Sequence, residues 1–197
     1  MRIDELTRPK DIDPILTRAG YERLGSGNFA TVYQKPGSNY VLKVFTSEDT
    51  GYTAFLDLVK KSQSNPHFPK IYGKIIRINS ECLAVRMEPL TPNFDNNAAE
   101  YIDTYISTWG KHVHKTAPNY NAVMEAWDFM DLRPSLIEAC DLIVKHLLPR
   151  YRLDIKDENV MMRGETLIIT DPIWDASSTG AGNDATKWDA FPRRPST

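Results

Sequence analysis

Between about Tyr21 and Leu90 the apolar residues fall in short runs separated by turn residues, whereas beyond about Ala98 they recur at helical spacing. The residues before Tyr21 read as a polar arm. YERLGSGNFATVYQKP predicts two strands around a glycine-bearing loop, PGSN a tight turn, and YVLKVF an apolar strand with one lysine in its middle. SEDTGYTAFLDLVKKS predicts a helix capped by Asp49 or Thr50, with Tyr52, Phe55, Leu56 and Val59 on one face. Pro66 and Pro69 bracket a loop, and YGKIIRIN and CLAVRMEPL predict two more strands. EYIDTYISTWGKHV, NAVMEAWDFM and PSLIEACDLIVKHLLPRY predict helices, the last stopped near Pro149. VMMR and TLIITDP then predict a hairpin turning at Arg163-Gly164, before a tail rich in small and polar residues. Strands first and helices later predict an α+β fold in a single domain, with a cleft between two lobes. Residues 20–90 would form a β-rich N-lobe, 91–173 a shortened helical C-lobe, and 174–197 a tail.

Composition narrows the ligand class. A formal charge of −2 with interspersed acidic and basic residues offers no electrostatic reason for nucleic acid as the main ligand. The only cysteines, Cys82 and Cys140, sit in apolar runs, which fits buried thiols in a reducing compartment. MRIDELTRPKDIDP has no apolar stretch for a signal peptide, and no run is long enough for a membrane span. A cytosolic protein without a membrane partner is expected.

Four stretches can carry chemistry, and each also has a plainer explanation. In LGSGNFATVY, Gly25 and Gly27 lack a Cβ and would let backbone amides approach phosphate oxygens, or they serve only a hairpin turn. Lys43 in YVLKVF would meet nucleotide phosphates, or snorkel from an edge strand. CLAVRMEPL would form a hinge, with Met87 behind the adenine, the Glu88 carbonyl accepting from it and the Leu90 amide donating to it. Alternatively the strand simply leaves the sheet at Pro89. In LDIKDENVMMRGETLIITDP, Asp154 can orient or deprotonate a hydroxyl and Lys156 can neutralise a phosphoryl group. Asn159 and Asp171 offer oxygens to Mg²⁺, unless all are turn residues. KHVH and His67 read as a solvated helix face and a loop residue, and the tryptophans as packing residues without a basic stripe.

The ordered set GSGNFATV, VLKV, MEPL, DIKDEN and ITDP resembles the protein kinase signature from Leu24 to Pro172. LGSGNFA, EDTGYTAF, FPKIYG and ITDP are similar to the early serine/threonine protein kinases of T7-like bacteriophages. The resemblance implies a compact kinase-like fold that binds ATP and Mg²⁺ and phosphorylates host proteins early in infection, in the bacterial cytoplasm. It implies nucleotide contacts from Leu24, Gly25, Ser26, Gly27, Val32, Lys43, Met87, Glu88 and Leu90, metal ligation by Asn159 and Asp171, and catalysis by Asp154 and Lys156. Lys156 leans toward a protein substrate. A small-molecule phosphotransferase and a pseudokinase-like inhibitor of a host factor are the alternatives.

Several positions depart from the pattern. Ala30 replaces the third glycine, Leu153 the arginine before the aspartate, and Pro172-Ile173 the Phe-Gly pair. Switching by a phosphorylated loop or by a mobile phenylalanine is therefore not expected. No Ala-Pro-Glu element follows Asp171, so docking of substrate is expected on the helices between Ala98 and Met130. The predicted helix at 50–62 contains no glutamate to pair with Lys43, which leaves Glu48, Asp49 and Asp57 as acidic candidates. Ser177, Ser178, Thr179, Thr186, Ser196 and Thr197 are candidates for self-phosphorylation.

Overall fold

The computed structural model describes residues 9–27, 29–93, 98–100, 102–103, 106, 134–148 and 150–175. A 3₁₀ turn, Pro9–Ile12, runs into helix α1, Asp13–Arg18. Strands β1 (Glu22–Ser26), β2 (Ala30–Gln34) and β3 (Val41–Thr46) lead to helix α2 (Thr50–Lys61), then β4 (Ile71–Arg77) and β5 (Cys82–Met87). These five strands form one antiparallel sheet in the order β1-β2-β3-β5-β4. β6 (Thr91–Pro92) follows the hinge segment, and helix α3 spans Pro134–His146. β7 (Arg152–Leu153), a 3₁₀ turn at Asp157–Asn159, β8 (Val160–Arg163), β9 (Thr166–Ile169) and β10 (Ile173–Trp174) complete the described chain. The α+β expectation holds, with a β-rich first half.

Alternation along β3 sorts its side chains onto two faces. Val41 and Phe45 join the main core, and Leu42 and Val44 join a second core on the sheet's outer face. α2 covers the inner face. The Asp49 side chain accepts from the Tyr52 amide at 2.9 Å, and Lys60 and Lys61 complement the dipole at the other end. Tyr52, Phe55, Leu56 and Val59 are fully buried, with Tyr52 edge-on to Phe45 and Phe55 edge-on to Phe68. Leu136, Ala139, Cys140 and Ile143 present one face of α3 to the same core. Cys82 and Cys140 are buried free thiols.

The residues before Tyr21 are not merely a polar arm. Ile12 is buried on the sheet's outer face with Ile15 and Leu16 packed beside it, while Asp13 accepts from Tyr33 and Arg23. Three apolar residues within five positions suffice for this, and neighbouring charges obscure them in the sequence. A cavity of about 240 Å³ between this segment and the sheet is lined by Ile12, Leu16, Leu42, Ile76 and Arg86. It lies on the face opposite Lys43.

The helices predicted between Ala98 and Met130 meet described residues only at 98–100, 102–103 and 106, which are helical and carry buried Ala98, Ala99, Ile102 and Ile106. Trp109, Trp127, His112 and His114 lie outside the described residues, as does 176–197 with its serines, threonines and Trp188. Among the described residues, no helix is long and apolar enough to cross a membrane.

Candidate active site

Two short ladders bring the distant acidic residues together. β7 pairs with β10, setting Leu153 opposite Ile173, and the Asp154 amide donates to the Pro172 carbonyl at 2.8 Å. The β8–β9 hairpin turns at Gly164, whose φ of 59° suits a residue without a Cβ. At its base the Thr170 amide donates to the Asn159 carbonyl at 2.9 Å, and the Asn159 side-chain amide donates to the Asp154 carbonyl at 2.6 Å. Asp154 is thus seated through its main-chain atoms and Asn159 through its side-chain nitrogen, while Asp171 lies between Thr170 and Pro172, whose backbones bond to Asn159 and Asp154. Asp154 also pairs with Lys156 at 2.8 Å, which holds the Lys156 pKa above its ordinary value.

Lys43 stands on β3 between Val32 of β2 and Val85 of β5, in the middle of the sheet. The edge-strand explanation therefore fails. Its Nζ lies 2.8 Å from Asp171 Oδ2 and 3.7 Å from the centre of the Tyr52 ring. Burial works against its charge, but Asp171 and Tyr52 outweigh it and hold its pKa above the ordinary lysine value. Burial pushes the Tyr52 phenol up to about 12, with Lys43 working the other way. The acidic partner missing from α2 is thus Asp171 in this structure, with an aromatic face beside it. Helical spacing puts Tyr52 on the buried face of α2, but the cation over its ring depends on how α2 sits on β3.

The N-terminus of α2 also meets the chain beyond Asp171. Thr50 donates to Asp175, and a Cβ on Gly51 would come within 3.2 Å of the Trp174 and Asp175 backbone. A side chain there would press on that backbone, which would have to give by a few tenths of an ångström. Burial pushes the Asp49 carboxyl up from 3.8 to about 6. The Asp171 and Asp175 charges add to this, while the Tyr52 amide and Lys43 oppose it. A proton held more tightly in the folded state gives stability that is complete at low pH and is lost as pH rises through about 6. Asp49→Asn keeps the capping oxygen without the charge. Its melting temperature relative to the wild type should therefore rise between about pH 5 and about pH 7.5. A difference that stays flat over that span would contradict the assignment.

The glycine loop is open. A Cβ on Gly25 would meet nothing within 4 Å, and one on Gly27 only the Ala30 carbonyl at 4.0 Å. Neither has a positive φ, so neither turn geometry nor packing requires glycine at these positions. The Gly27 amide donates to the Ala30 carbonyl, and Ser26 and Thr31 share a hydroxyl contact at 3.0 Å. Leu24 is 57% exposed on β1, whereas Val32 packs against the main core. At the end of β5, Met87 is buried and its sulfur accepts from the Tyr52 hydroxyl at 3.3 Å; Leu90 is half-buried. The Glu88 side chain, in contrast, is buried in an ion pair with Arg163 that no spacing in the sequence announces.

The family profile described as bacteriophage T7 protein kinase 0.7 matches residues 5–190, most of the chain. The chain belongs to that family. No curated protein matches at a comparable level. Among solved structures, the Cydia pomonella granulovirus kinase PK-1 is 15% identical with a TM-score of 0.42, over 82% of this chain and 57% of that one. The chain thus spans little more than half the length of that kinase. Rad53 in complex with AMP-PNP is 16% identical with a TM-score of 0.39, over 82% and 42% of the two chains. The aminoglycoside phosphotransferase APH(4)-Ia is 10% identical with a TM-score of 0.38, over 82% and 70%. These are distant likenesses, and the assignment to the bacteriophage kinase family rests on the family match.

Proposed function

We propose that this member of the bacteriophage kinase family is an ATP-dependent protein kinase that phosphorylates serine or threonine in host proteins early in infection, in the bacterial cytoplasm. The observation that carries this reading is the junction of Lys43 with Asp171, the residue that lies between the backbone attachments of Asn159 and Asp154. ATP would lie with its adenine against Met87 and the Glu88–Leu90 main chain, with Leu24 and Val32 above it. Its phosphates would lie under Gly25, Ser26 and Gly27, with Lys43 reaching them.

The donor set suits Mg²⁺. No cluster of three or more histidine, cysteine or acidic side chains that could hold a metal occurs among the described residues. A site made of one carboxylate, one amide oxygen and substrate phosphates is the pattern Mg²⁺ favours, and Asp171 and Asn159 would supply the protein part. The Asn159 amide nitrogen is committed to the Asp154 carbonyl, so its oxygen is the atom left for a cation. Bound Mg²⁺ would offset charge on the phosphates.

Asp154 accepts the proton of the substrate hydroxyl as the new O–P bond forms at the γ-phosphorus. The bond from that phosphorus to the β–γ bridging oxygen breaks, and ADP leaves with the electron pair. Lys156 meets the charge on the transferred group. The work is positioning and electrostatics, which a small chain can supply.

The test is transfer of labelled γ-phosphate from ATP into proteins of a bacterial lysate by purified protein. Label in phosphoserine or phosphothreonine is expected, and it should disappear when Mg²⁺ is chelated. Label appearing only in small metabolites would favour the small-molecule phosphotransferase. No turnover of ATP in either fraction would favour a binding protein.

A further inference from the structure

Arg163 closes β8 and uses every nitrogen of its guanidinium. Its Nε donates to Glu88 Oε2 at 2.7 Å and an Nη to Glu88 Oε1, while other N–H groups reach the Pro66 and Phe68 carbonyls at 2.9 Å each. Glu88 is only 7% exposed and begins the segment between β5 and β6. Its carboxylate also accepts from the Lys70 amide at 2.7 Å, and its own amide donates to the Lys70 carbonyl at 3.0 Å. Just beyond, Thr91 and Pro92 of β6 pair with Met162 and Met161 of β8. Leu90 is therefore flanked by two attachments to the same strand, and that strand begins immediately after Asn159.

We infer that Arg163 is a positioning residue for nucleotide binding. By gripping the Glu88 carboxylate from the hairpin next to Asn159, it fixes the Glu88–Leu90 main chain for the adenine. The inference rests on the Mg-ATP reading of the cleft. Chemistry supports arginine in this place: a planar fork satisfies both carboxylate oxygens and two carbonyls at once, whereas lysine offers a single point charge. Two strands packed side by side need no such grip. A short segment that must present one carbonyl and one amide at fixed spacing does, because beyond the Glu88–Lys70 bond its residues belong to no strand until β6.

The experiment compares wild type, Arg163→Ala, Arg163→Lys and Glu88→Gln, each first shown to be folded at the assay temperature by circular dichroism. Titration calorimetry measures affinity for Mg-ATP and for Mg-tripolyphosphate, which lacks adenine. Hydrogen exchange of the Glu88 and Leu90 amides is followed without nucleotide. Arg163→Ala should weaken Mg-ATP binding roughly tenfold, the scale of hydrogen bonds to a charged group, and leave tripolyphosphate binding unchanged. Arg163→Lys should fall between it and the wild type, and exchange at the Glu88 and Leu90 amides should be faster in both. If Arg163→Ala does not fold, Glu88→Gln gives the reading, since its amide can still accept from Lys70 but meets Arg163 without charge. Unchanged ATP affinity and exchange would overturn the role of Arg163, as would an equal loss for tripolyphosphate. Wild-type protein that binds neither ligand would instead overturn the Mg-ATP reading itself.

Discussion

Asp154→Asn is expected to lower phosphate transfer by roughly 10²- to 10⁴-fold, the range over which a positioned general base contributes. The fold should survive, because the contacts that seat Asp154 are made by its backbone. Its amide donates to Pro172 and its carbonyl accepts from Asn159, and neither involves the side chain. What asparagine removes is the negative charge and the base. Lys156 would lose the carboxylate that raises its pKa, although this ammonium is more than half exposed and its loss of a partner should cost little stability. Parallel measurement of transfer rate and melting temperature separates the two effects. Wild-type activity in a folded Asp154→Asn protein would remove Asp154 from the chemistry.

Asp171→Ala should abolish transfer and also destabilise the protein, because Asp171 has two partners to serve. In the structure it is the ion-pair partner of Lys43, whose side chain is 13% exposed against 26% for the aspartate. Removing the carboxylate leaves a largely buried ammonium over the Tyr52 ring, which softens the loss without cancelling it. The expected cost is about 1–3 kcal/mol, below the range for fully buried pairs because Asp171 is partly solvated. Adding Lys43→Met to Asp171→Ala should restore much of that stability and none of the activity, because an apolar chain fits the core face of β3 and carries no unpaired charge. Chemical denaturation and phosphate transfer on the two single variants and the double variant provide the readings. If stability does not recover in the double variant, the Lys43–Asp171 pair is not what Asp171→Ala disrupts.

The second prediction turns on a pairing between residues 128 positions apart, which local spacing in the sequence does not reveal. Sequence proximity offers Lys43 only the acidic residues along α2 and at its start, Glu48, Asp49 and Asp57. The partner lay on the far side of a hairpin. Asp49 is nonetheless part of the same electrostatic group, since its carboxyl is raised by Asp171 and Asp175 and lowered by Lys43. Arg163 illustrates the same limit. As a residue at a predicted turn it looked ordinary, and its contacts with Glu88, Pro66 and Phe68 arise only when β8 folds under the segment following β5. His67 is similar. Its Nδ1 donates to the Leu167 carbonyl at 2.8 Å, and its Nε2 lies 3.0 Å from the Ser135 hydroxyl.

Local elements and candidate chemistry are legible in the amino-acid order alone. Short apolar runs between turn residues mark the strands, the 3.6-residue stripe marks α2 with Asp49 or Thr50 at its start, and Arg163-Gly164 marks the hairpin, because each is set by neighbours a few residues apart. The order of GSGNFATV, VLKV, MEPL, DIKDEN and ITDP pointed to one kind of site. Folding in three dimensions is what makes Lys43 central in its sheet, pairs it with Asp171, sets its ammonium over the Tyr52 ring, and lets Arg163 grip Glu88. Such contacts join residues far apart in the chain. They depend on which faces the core presses together, and burial and charge take effect only there.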